Sequence, residues 1–156
     1  MMRVSLLDDE NSILALTADL FDRALPGVEF RTFDRGSDYL IALESGWFPD
    51  VALIDWRLKD MDCLVVLRRC RVLCRNAGVF PSRFILTGEV TAVPEEALTL
   101  VDGVIEKPTG MRDLPQRVLL EQERKAGVLR DRYEAAMARH DEIYAALKER
   151  RPCPPI

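Results

Sequence analysis

Five polar side chains share one position in the pattern of the chain, because each lies at or directly after the end of a short apolar run. They are Asp8, Asp9, Asp55, Thr87 and Lys107. Carboxylates that lie close together repel one another unless a cation lies among them, and an oxygen-rich, water-accessible site suits Mg²⁺. A hydroxyl and an ammonium directed at the same place indicate an anionic substrate. A phosphoryl group fits this set, because Asp can act as a nucleophile and form an aspartyl phosphate.

The elements that must position these side chains alternate between strand and helix. The predicted strands are 3–7, 28–33, 51–55, 84–87 and 103–106, and the predicted helices between them are 13–25, 38–45, 63–77 and 94–100. Alternation of this kind predicts an α/β fold with right-handed crossovers and a doubly wound, five-stranded parallel sheet. The ligand site of such a sheet lies beyond the carboxyl ends of its strands, which is where all five polar side chains fall.

Composition limits the class of protein. The chain has 156 residues, of which 48% are hydrophobic and 31% charged, and its formal charge is −4. A mildly acidic chain is a poor candidate for direct nucleic-acid binding, and no apolar run approaches the length of a membrane span. With one His and no Cys-x-x-Cys, a zinc quartet is not expected. The start of the chain lacks the apolar stretch of a signal peptide, so we expect a cytoplasmic protein with reduced thiols.

The last part of the chain carries a different pattern. We expect a helical extension over 123–151, with the periodicity of a coiled coil, and a Pro-rich tail at 152–156. Residues spaced 7-3-4-3-4-3-4 form an imperfect heptad seam: Leu119, Ala126, Leu129, Tyr133, Ala136, His140, Ile143 and Leu147. Basic residues flank this seam: Lys125, Arg130, Arg132 and Arg139. A homodimer through this helix is one option, although the basic flanks do not favour a parallel one. An antiparallel pair, an acidic partner, a fold-back onto the sheet and a linker to a further domain remain open.

Residues 3–122 resemble the receiver domains of two-component response regulators. Four pieces carry the resemblance, in the order and at the strand ends where that family has them. They are Asp8-Asp9-Glu10 after the first strand, Asp55-Trp56-Arg57-Leu58-Lys59-Asp60-Met61-Asp62 after the third, Thr87-Gly88 after the fourth and Lys107-Pro108 after the fifth. The resemblance implies the flavodoxin-like strand order 2-1-3-4-5 and a receiver domain over residues 1–122.

The resemblance also implies how the acidic residues act. Asp55 would accept a phosphoryl group from a histidine kinase or a phosphotransfer protein. Asp8, Asp9 and Asp55 would hold Mg²⁺ together with the backbone carbonyl of Arg57. A protein of this kind is a regulatory phosphoacceptor and not an enzyme, with slow autodephosphorylation, and its phosphorylation switches an output surface or an oligomeric state.

The hydroxyl and the ammonium have implied roles as well. Thr87 would hydrogen-bond a phosphoryl oxygen, and Lys107 would pair with the phosphate or with the Asp55 carboxylate. The bond between Lys107 and Pro108 is often cis in this family, which would direct the lysine into the site.

The sequence departs from the family in three places. Lys59, Asp60 and Cys63 replace a proline and two glycines in the loop after the phosphoacceptor, so the left-handed turn usual at Cys63 is in question. Val104 stands where the family has an aromatic switch residue, so the familiar inward turn of an aromatic ring cannot occur unchanged. The segment between the fourth and fifth strands is short, which predicts a small or irregular fourth helix.

Two charged residues lie where the family controls access to the phosphoryl group. Arg57 and Glu89 follow two positions after Asp55 and Thr87. Their opposite charges predict an ion pair across the mouth of the site. We expect this pair to hinder the water that would hydrolyse the phosphoryl group.

Two other functions are alternatives to a phosphorylated receiver. One is a degenerate receiver that acts as an interaction or dimerisation module without phosphorylation. The other is a phosphatase of the haloacid dehalogenase type with Asp55 as nucleophile. Those enzymes have a second Asp two residues after the nucleophile, and Arg57 at that position argues against them.

Overall fold

Five short strands form one sheet in which all neighbours run parallel. They are β1 (Arg3–Leu7), β2 (Glu29–Phe33), β3 (Val51–Asp55), β4 (Ser82–Thr87) and β5 (Gly103–Glu106). Their order in the sheet is β2-β1-β3-β4-β5, so the doubly wound parallel sheet and its 2-1-3-4-5 order are confirmed. This computed structural model describes residues 1–149. The predicted Pro-rich tail, the end of the predicted helical extension and Cys153 lie outside the described residues.

Helices follow each strand along the chain. They are α1 (Asn11–Ala24), α2 (Gly36–Glu44), α3 (Cys63–Ala77), α4 (Glu95–Leu98) and α5 (Leu114–Glu149). A 3-10 turn at Val90–Ala92 precedes α4, which has only 4 residues. The small, irregular fourth helix predicted from the short segment is therefore confirmed. A second 3-10 turn, Thr109–Met111, leads into α5.

The sheet is covered on both faces, and the strand residues alternate between two hydrophobic clusters. β3 is buried along its whole length, as its continuous apolar sequence predicts. Ile54 enters one cluster together with Leu67 of α3, whereas Leu53 enters the other together with Phe21 of α1 and Leu114 of α5. Burial of this kind is worth about 1.5–3 kcal/mol for each large apolar side chain. It fixes the strands whose carboxyl ends carry the site.

The three cysteines among the described residues are free thiols, and two of them, Cys63 and Cys70, lie inside the first of these clusters. Cys63, Cys70 and Cys74 are all buried. Burial raises the pKa of both Cys63 and Cys70 to about 12, so both stay protonated at neutral pH. They therefore pack as small hydrophobic residues, as expected of reduced thiols.

α5 is a single helix of 36 residues. The chain divides within it into two compact units, Met1–Val118 and the part from Leu119 onward. Leu114 and Val118 belong to the first unit and are buried there. The expected domain boundary at residue 122 falls in the same helix. Over residues 1–149, none of the helices combines the length and the apolar character that crossing a bilayer requires.

Candidate functional site

The carboxyl ends of β1 and β3, which are neighbours in the sheet, bring three carboxylates together. Asp8 and Asp9 directly follow β1, and Asp55 is the last residue of β3. These residues offer ligand oxygens that all lie within 4.8 Å of one another. Asp8 and Asp55 are buried and Asp9 is partly exposed, so the cluster keeps one side toward solvent.

Lys107 places a positive charge between two of these carboxylates. It follows β5, and its bond to Pro108 is cis, as the resemblance implies. The ammonium Nζ lies 2.5 Å from Asp8 Oδ2 and 3.4 Å from Asp55 Oδ1. The Lys107 side chain is only 16% exposed, so solvent screens these two contacts weakly. The fold thus joins residues that lie 99 positions apart in the chain.

Backbone contacts hold the Asp8 carboxylate in place. The Asp8 N–H donates to the carbonyl of Phe33 at 3.0 Å, which links the end of β1 to the end of β2. Asp8 Oδ1 accepts from the Glu10 N–H at 2.9 Å, while Oδ2 faces Lys107. Both carboxylate oxygens are therefore engaged and oriented before any ligand arrives.

Burial and neighbouring charges set the acid–base properties of the site. Burial raises the pKa of Asp55 to about 6, opposed by the Lys107 ammonium and reinforced by the Asp8 carboxylate. The Arg57 N–H donates to Asp55 Oδ1 at 3.3 Å and also favours the charged form. Burial alone would lower the pKa of Lys107, but its contacts with Asp8 and Asp55 raise that pKa above the ordinary value. Lys107 therefore stays a cation at neutral pH, whereas Asp55 loses its proton at a higher pH than an ordinary aspartate does.

Thr87 ends β4 and is buried at the same edge of the sheet. Its carbonyl accepts from the Lys107 N–H at 2.8 Å, which fixes the spacing of these two residues. Its hydroxyl accepts from the Glu89 N–H at 3.1 Å and donates to the Glu89 carbonyl at 3.3 Å. In this arrangement the hydroxyl bonds to its own loop, and its implied contact with a phosphoryl oxygen stays a prediction.

The predicted ion pair between Arg57 and Glu89 is present. Arg57 Nη2 lies 3.1 Å from Glu89 Oε2, and the two side chains are 75% and 61% exposed. A pair this exposed contributes little to stability. What it does is connect the loop after Asp55 with the loop after Thr87. The effect of the pair on water, and the role of the Arg57 carbonyl as a metal ligand, stay predictions.

Val104, at the place of the family's aromatic switch residue, lies on β5 opposite Ile85 of β4. It is partly buried and packs against the cluster that includes Val93 and Ala97. These two residues come from the segment between β4 and β5. Aliphatic packing therefore connects β5 with the chain that follows Thr87.

Asp60 has a structural role that the sequence did not reveal. Its Oδ1 accepts from the Gly36 N–H at 3.0 Å and its Oδ2 from the Ser37 N–H at 3.1 Å. Burial opposes ionisation of Asp60, but these backbone donors lower its pKa overall. The loop after Asp55 is thus tied to the first turn of α2, whose N–H groups otherwise lack partners. Aspartate is a common helix-capping residue, but this helix begins 24 positions earlier in the chain.

The start of α3 explains how this loop closes without the family's glycines. Asp62 is the N-cap of α3, and its Oδ1 accepts from the Leu64 N–H at 2.8 Å. Cys63 is therefore the first helical residue, and among the described residues only two glycines have positive φ. The left-handed turn usual in the family at this position is absent.

We expect an Asp60→Ala variant to lose about 1–2 kcal/mol of unfolding free energy, the usual cost of deleting a helix cap. Urea unfolding followed by circular dichroism measures it. Asp60→Asn keeps one acceptor oxygen and should lose less. The matched control Lys59→Ala changes an exposed neighbour and should stay within about 0.5 kcal/mol of wild type. An Asp60→Ala variant as stable as the control would show that these two hydrogen bonds contribute nothing.

The carboxylate cluster fits a hard divalent cation. All the ligand atoms it offers are oxygens, and their separations are short enough for one ion to contact more than one of them. Burial is the main cause of the raised pKa of Asp55, and repulsion from the Asp8 carboxylate adds to it. A cation would relieve that repulsion.

Comparison with known proteins gives matches at the level of structure. Neither a family model nor a curated protein matches the sequence. A CheY-like response regulator receiver domain from Methanospirillum hungatei superposes with a TM-score of 0.66 at 23% identity, covering 81% of this chain and 98% of its own. The response regulator TrrA from Thermotoga maritima, solved with Mg²⁺ and BeF, gives 0.63 at 21% identity, covering 76% and 96%. The chain has the receiver-domain fold.

A third match extends over more of this receiver-fold chain. It is a fusion that carries a trimeric coiled-coil segment of yeast Spc42, with a TM-score of 0.69 at 19% identity. It covers 95% of this chain and 99% of its own. At these identities, the two response regulator matches establish the receiver fold, and the function has to be argued from the site.

Proposed function

We propose that this protein is a response regulator receiver that accepts a phosphoryl group on Asp55. The observation that carries the proposal is the position of the Lys107 ammonium between the Asp8 and Asp55 carboxylates, at the strand ends where Asp9 and Thr87 also lie. The donor is a histidine kinase or a phosphotransfer protein. The receiver fold and the order of the site residues support this assignment.

Each residue has a task in phosphoryl transfer. The Asp55 carboxylate oxygen attacks phosphorus, and the leaving group departs on the opposite side. Lys107, already oriented by Asp8, neutralises charge on the transferred oxygens. Thr87 exchanges its bonds with the Glu89 backbone for one to a phosphoryl oxygen. Asp8, Asp9, Asp55 and the Arg57 carbonyl would hold Mg²⁺, which supplies charge neutralisation for the phosphoryl oxygens.

The test is the intact mass of the protein after incubation with acetyl phosphate, with and without Mg²⁺. Wild type should gain one labile phosphoryl group in the presence of Mg²⁺, and Asp55→Asn should gain none. Asp34→Asn, a change of an exposed acid just after β2, is the matched control and should behave as wild type. Stoichiometric adduct on Asp55→Asn would place the phosphoacceptor elsewhere. Absence of adduct from wild type, also with a panel of histidine kinases, would favour the phosphorylation-independent module.

The Arg57–Glu89 pair is part of the proposal as a brake on hydrolysis. Arg57→Ala and Glu89→Ala should each speed the loss of the phosphoryl group about three- to ten-fold, because water then reaches it more easily. Decay of the adduct after removal of the donor measures this rate. Lys59→Ala, in the same loop, should leave the rate unchanged. If both pair variants decay at the wild-type rate, the pair does not control access.

The output of the switch follows from the packing of Val104. Movement of Thr87 toward the phosphoryl group would displace the segment that holds Val93 and Ala97, which packs against the same cluster as Val104. The surface near the fourth and fifth strands would change shape without an aromatic rotation. We place the protein in the cytoplasm, with no direct binding to nucleic acid or membrane.

A further inference from the structure

The outer part of α5 carries a row of large apolar side chains along one face. In the heptad register of the seam, Ala126 is at an a position and Leu129 at a d position. Six large side chains at positions a, d and e are between 42% and 66% exposed: Leu129, Tyr133, Met137, Ile143, Tyr144 and Leu147. Most of the stability of a helix comes from packing of its apolar face. A stripe of this length in water indicates a contact site for another helix.

Basic residues border this apolar face. Arg132 and Arg139 occupy consecutive g positions, and Arg130 occupies an e position. All three are exposed, and none of them makes an ion pair with a residue of the described range 1–149. Most acidic residues of this part of the helix lie away from the face, among them Glu134 at a b position and Glu142 at a c position, whereas Glu123 lies at an e position. The helix therefore offers positive charge where a partner helix would lie beside it.

A second copy in parallel register fits this face poorly. In such a pair each g residue faces the next e residue of the other helix, which sets Lys125 against Arg130 of the second copy. Equivalent positions also face each other across the seam. Small Ala136 would then lie against Ala136, and bulky Tyr133 against Tyr133. The seam would be underpacked in one layer and crowded in the next.

In an antiparallel pair a positions face d positions, so the mismatch in size is relieved, but a conflict of charge remains. With the helices fully overlapped, g positions face g positions, so Arg132 lies against Arg139 of the second copy. The pair is symmetric, so this repulsion occurs twice. Like charges at these positions are a usual means by which coiled coils reject a partner.

We propose that α5 pairs with an amphipathic helix of a different protein, with aliphatic side chains at its a and d positions and Glu or Asp at the flanking positions. The acids of that helix face Arg132 and Arg139. Its larger aliphatic residues fill the space beside Ala126 and Ala136. This interaction goes beyond the phosphoacceptor function and does not depend on it.

The first test is sedimentation equilibrium of the full chain at micromolar concentration. The expected mass is that of one chain, because the face does not accept a second copy. A dimer or trimer that persists on dilution would overturn the proposal. The same run with Asp55→Asn should give the same mass, which separates this test from the phosphoacceptor proposal.

The second test uses two designed heptad peptides as probes. Both carry Ile at a and Leu at d, but one has Glu at e and g and the other has Lys there. Fluorescence anisotropy should show the acidic peptide binding at least about ten-fold more tightly than the basic one, with the preference weakening at high salt. Equal binding of the two peptides, or binding of neither, would refute the proposal.

Matched variants identify the face. The double change Arg132→Glu and Arg139→Glu should reverse the preference between the peptides. Arg124→Glu, at an f position on the opposite side of the helix, should leave the preference unchanged. Circular dichroism checks that each variant keeps its helix. A double variant that is fully helical and still prefers the acidic peptide would contradict the assigned charges.

Discussion

Replacing Asp55 with Asn is expected to stabilise the metal-free protein more at pH 7 than at pH 4. Burial raises the pKa of Asp55 to about 6. The ordinary value, which describes the unfolded chain, is 3.8. Between these values the folded protein binds more protons than the unfolded chain, so the contribution of Asp55 to stability is present at low pH and is lost as pH rises through 6. Asparagine does not titrate, so the difference between the two proteins grows over this range by about 3 kcal/mol.

Urea unfolding in EDTA, measured at intervals from pH 4 to pH 7, gives this difference directly. Comparing the two proteins at each pH removes the contributions of all other titrating groups that both share. Asp34→Asn, an exposed acid, should show no pH-dependent difference from wild type. A constant difference between Asp55→Asn and wild type would show that Asp55 has an ordinary pKa. Mg²⁺ at pH 7 should narrow the gap, because it binds the folded wild type in preference to the variant.

A Lys107→Ala variant is expected to form at least about ten-fold less phosphoryl adduct than wild type under the same conditions. The variant loses the only cation among the described residues that lies within 4.0 Å of both Asp8 and Asp55. It also leaves the buried Asp8 carboxylate without its counter-charge, which costs about 3 kcal/mol of stability. Intact mass after incubation with acetyl phosphate and Mg²⁺ measures the adduct, at a temperature where the variant is folded.

Two companion variants separate charge from geometry. Lys107→Arg keeps the positive charge with a different shape and should retain part of the adduct. Lys59→Ala removes an exposed lysine from the loop after Asp55 and should have no effect. If Lys107→Ala forms as much adduct as wild type, Lys107 takes no part in phosphoryl transfer. That outcome would leave Lys107 as a structural partner of Asp8.

The fold and most of the site were predictable because the signals are local. A strand of a doubly wound sheet shows as a short apolar run, and the helix that connects it to the next strand shows as apolar residues at helical spacing. The elements could therefore be placed from neighbouring residues alone. Four of the five strands begin and end within one residue of the prediction, and β4 begins two residues earlier than predicted, at Ser82. The carboxyl ends of parallel strands share one edge, so Asp8, Asp55 and Lys107 could be expected to meet there.

The departures from the family pattern could not be interpreted from the sequence. Asp60 and Cys63 stood out as replacements for loop glycines, but the structure gives them ordinary roles in a loop closed by two helix caps. One of those caps lies on α2, more than twenty residues earlier in the chain. A hydrogen bond between segments so far apart leaves no local pattern, because it depends on how the loops pack.

By itself, the sequence determined the α/β alternation, the strand ends that carry Asp8, Asp55, Thr87 and Lys107, and the heptad seam of the last helix. Only the tertiary structure decided which oxygens Lys107 bridges, that burial raises the pKa of Asp55, and that the Thr87 hydroxyl bonds to the Glu89 backbone. The physical reason is that secondary structure follows from the period of neighbouring side chains. Hydrogen bonds and charge interactions depend instead on distances of a few ångströms between strand ends, which are set once the sheet has packed.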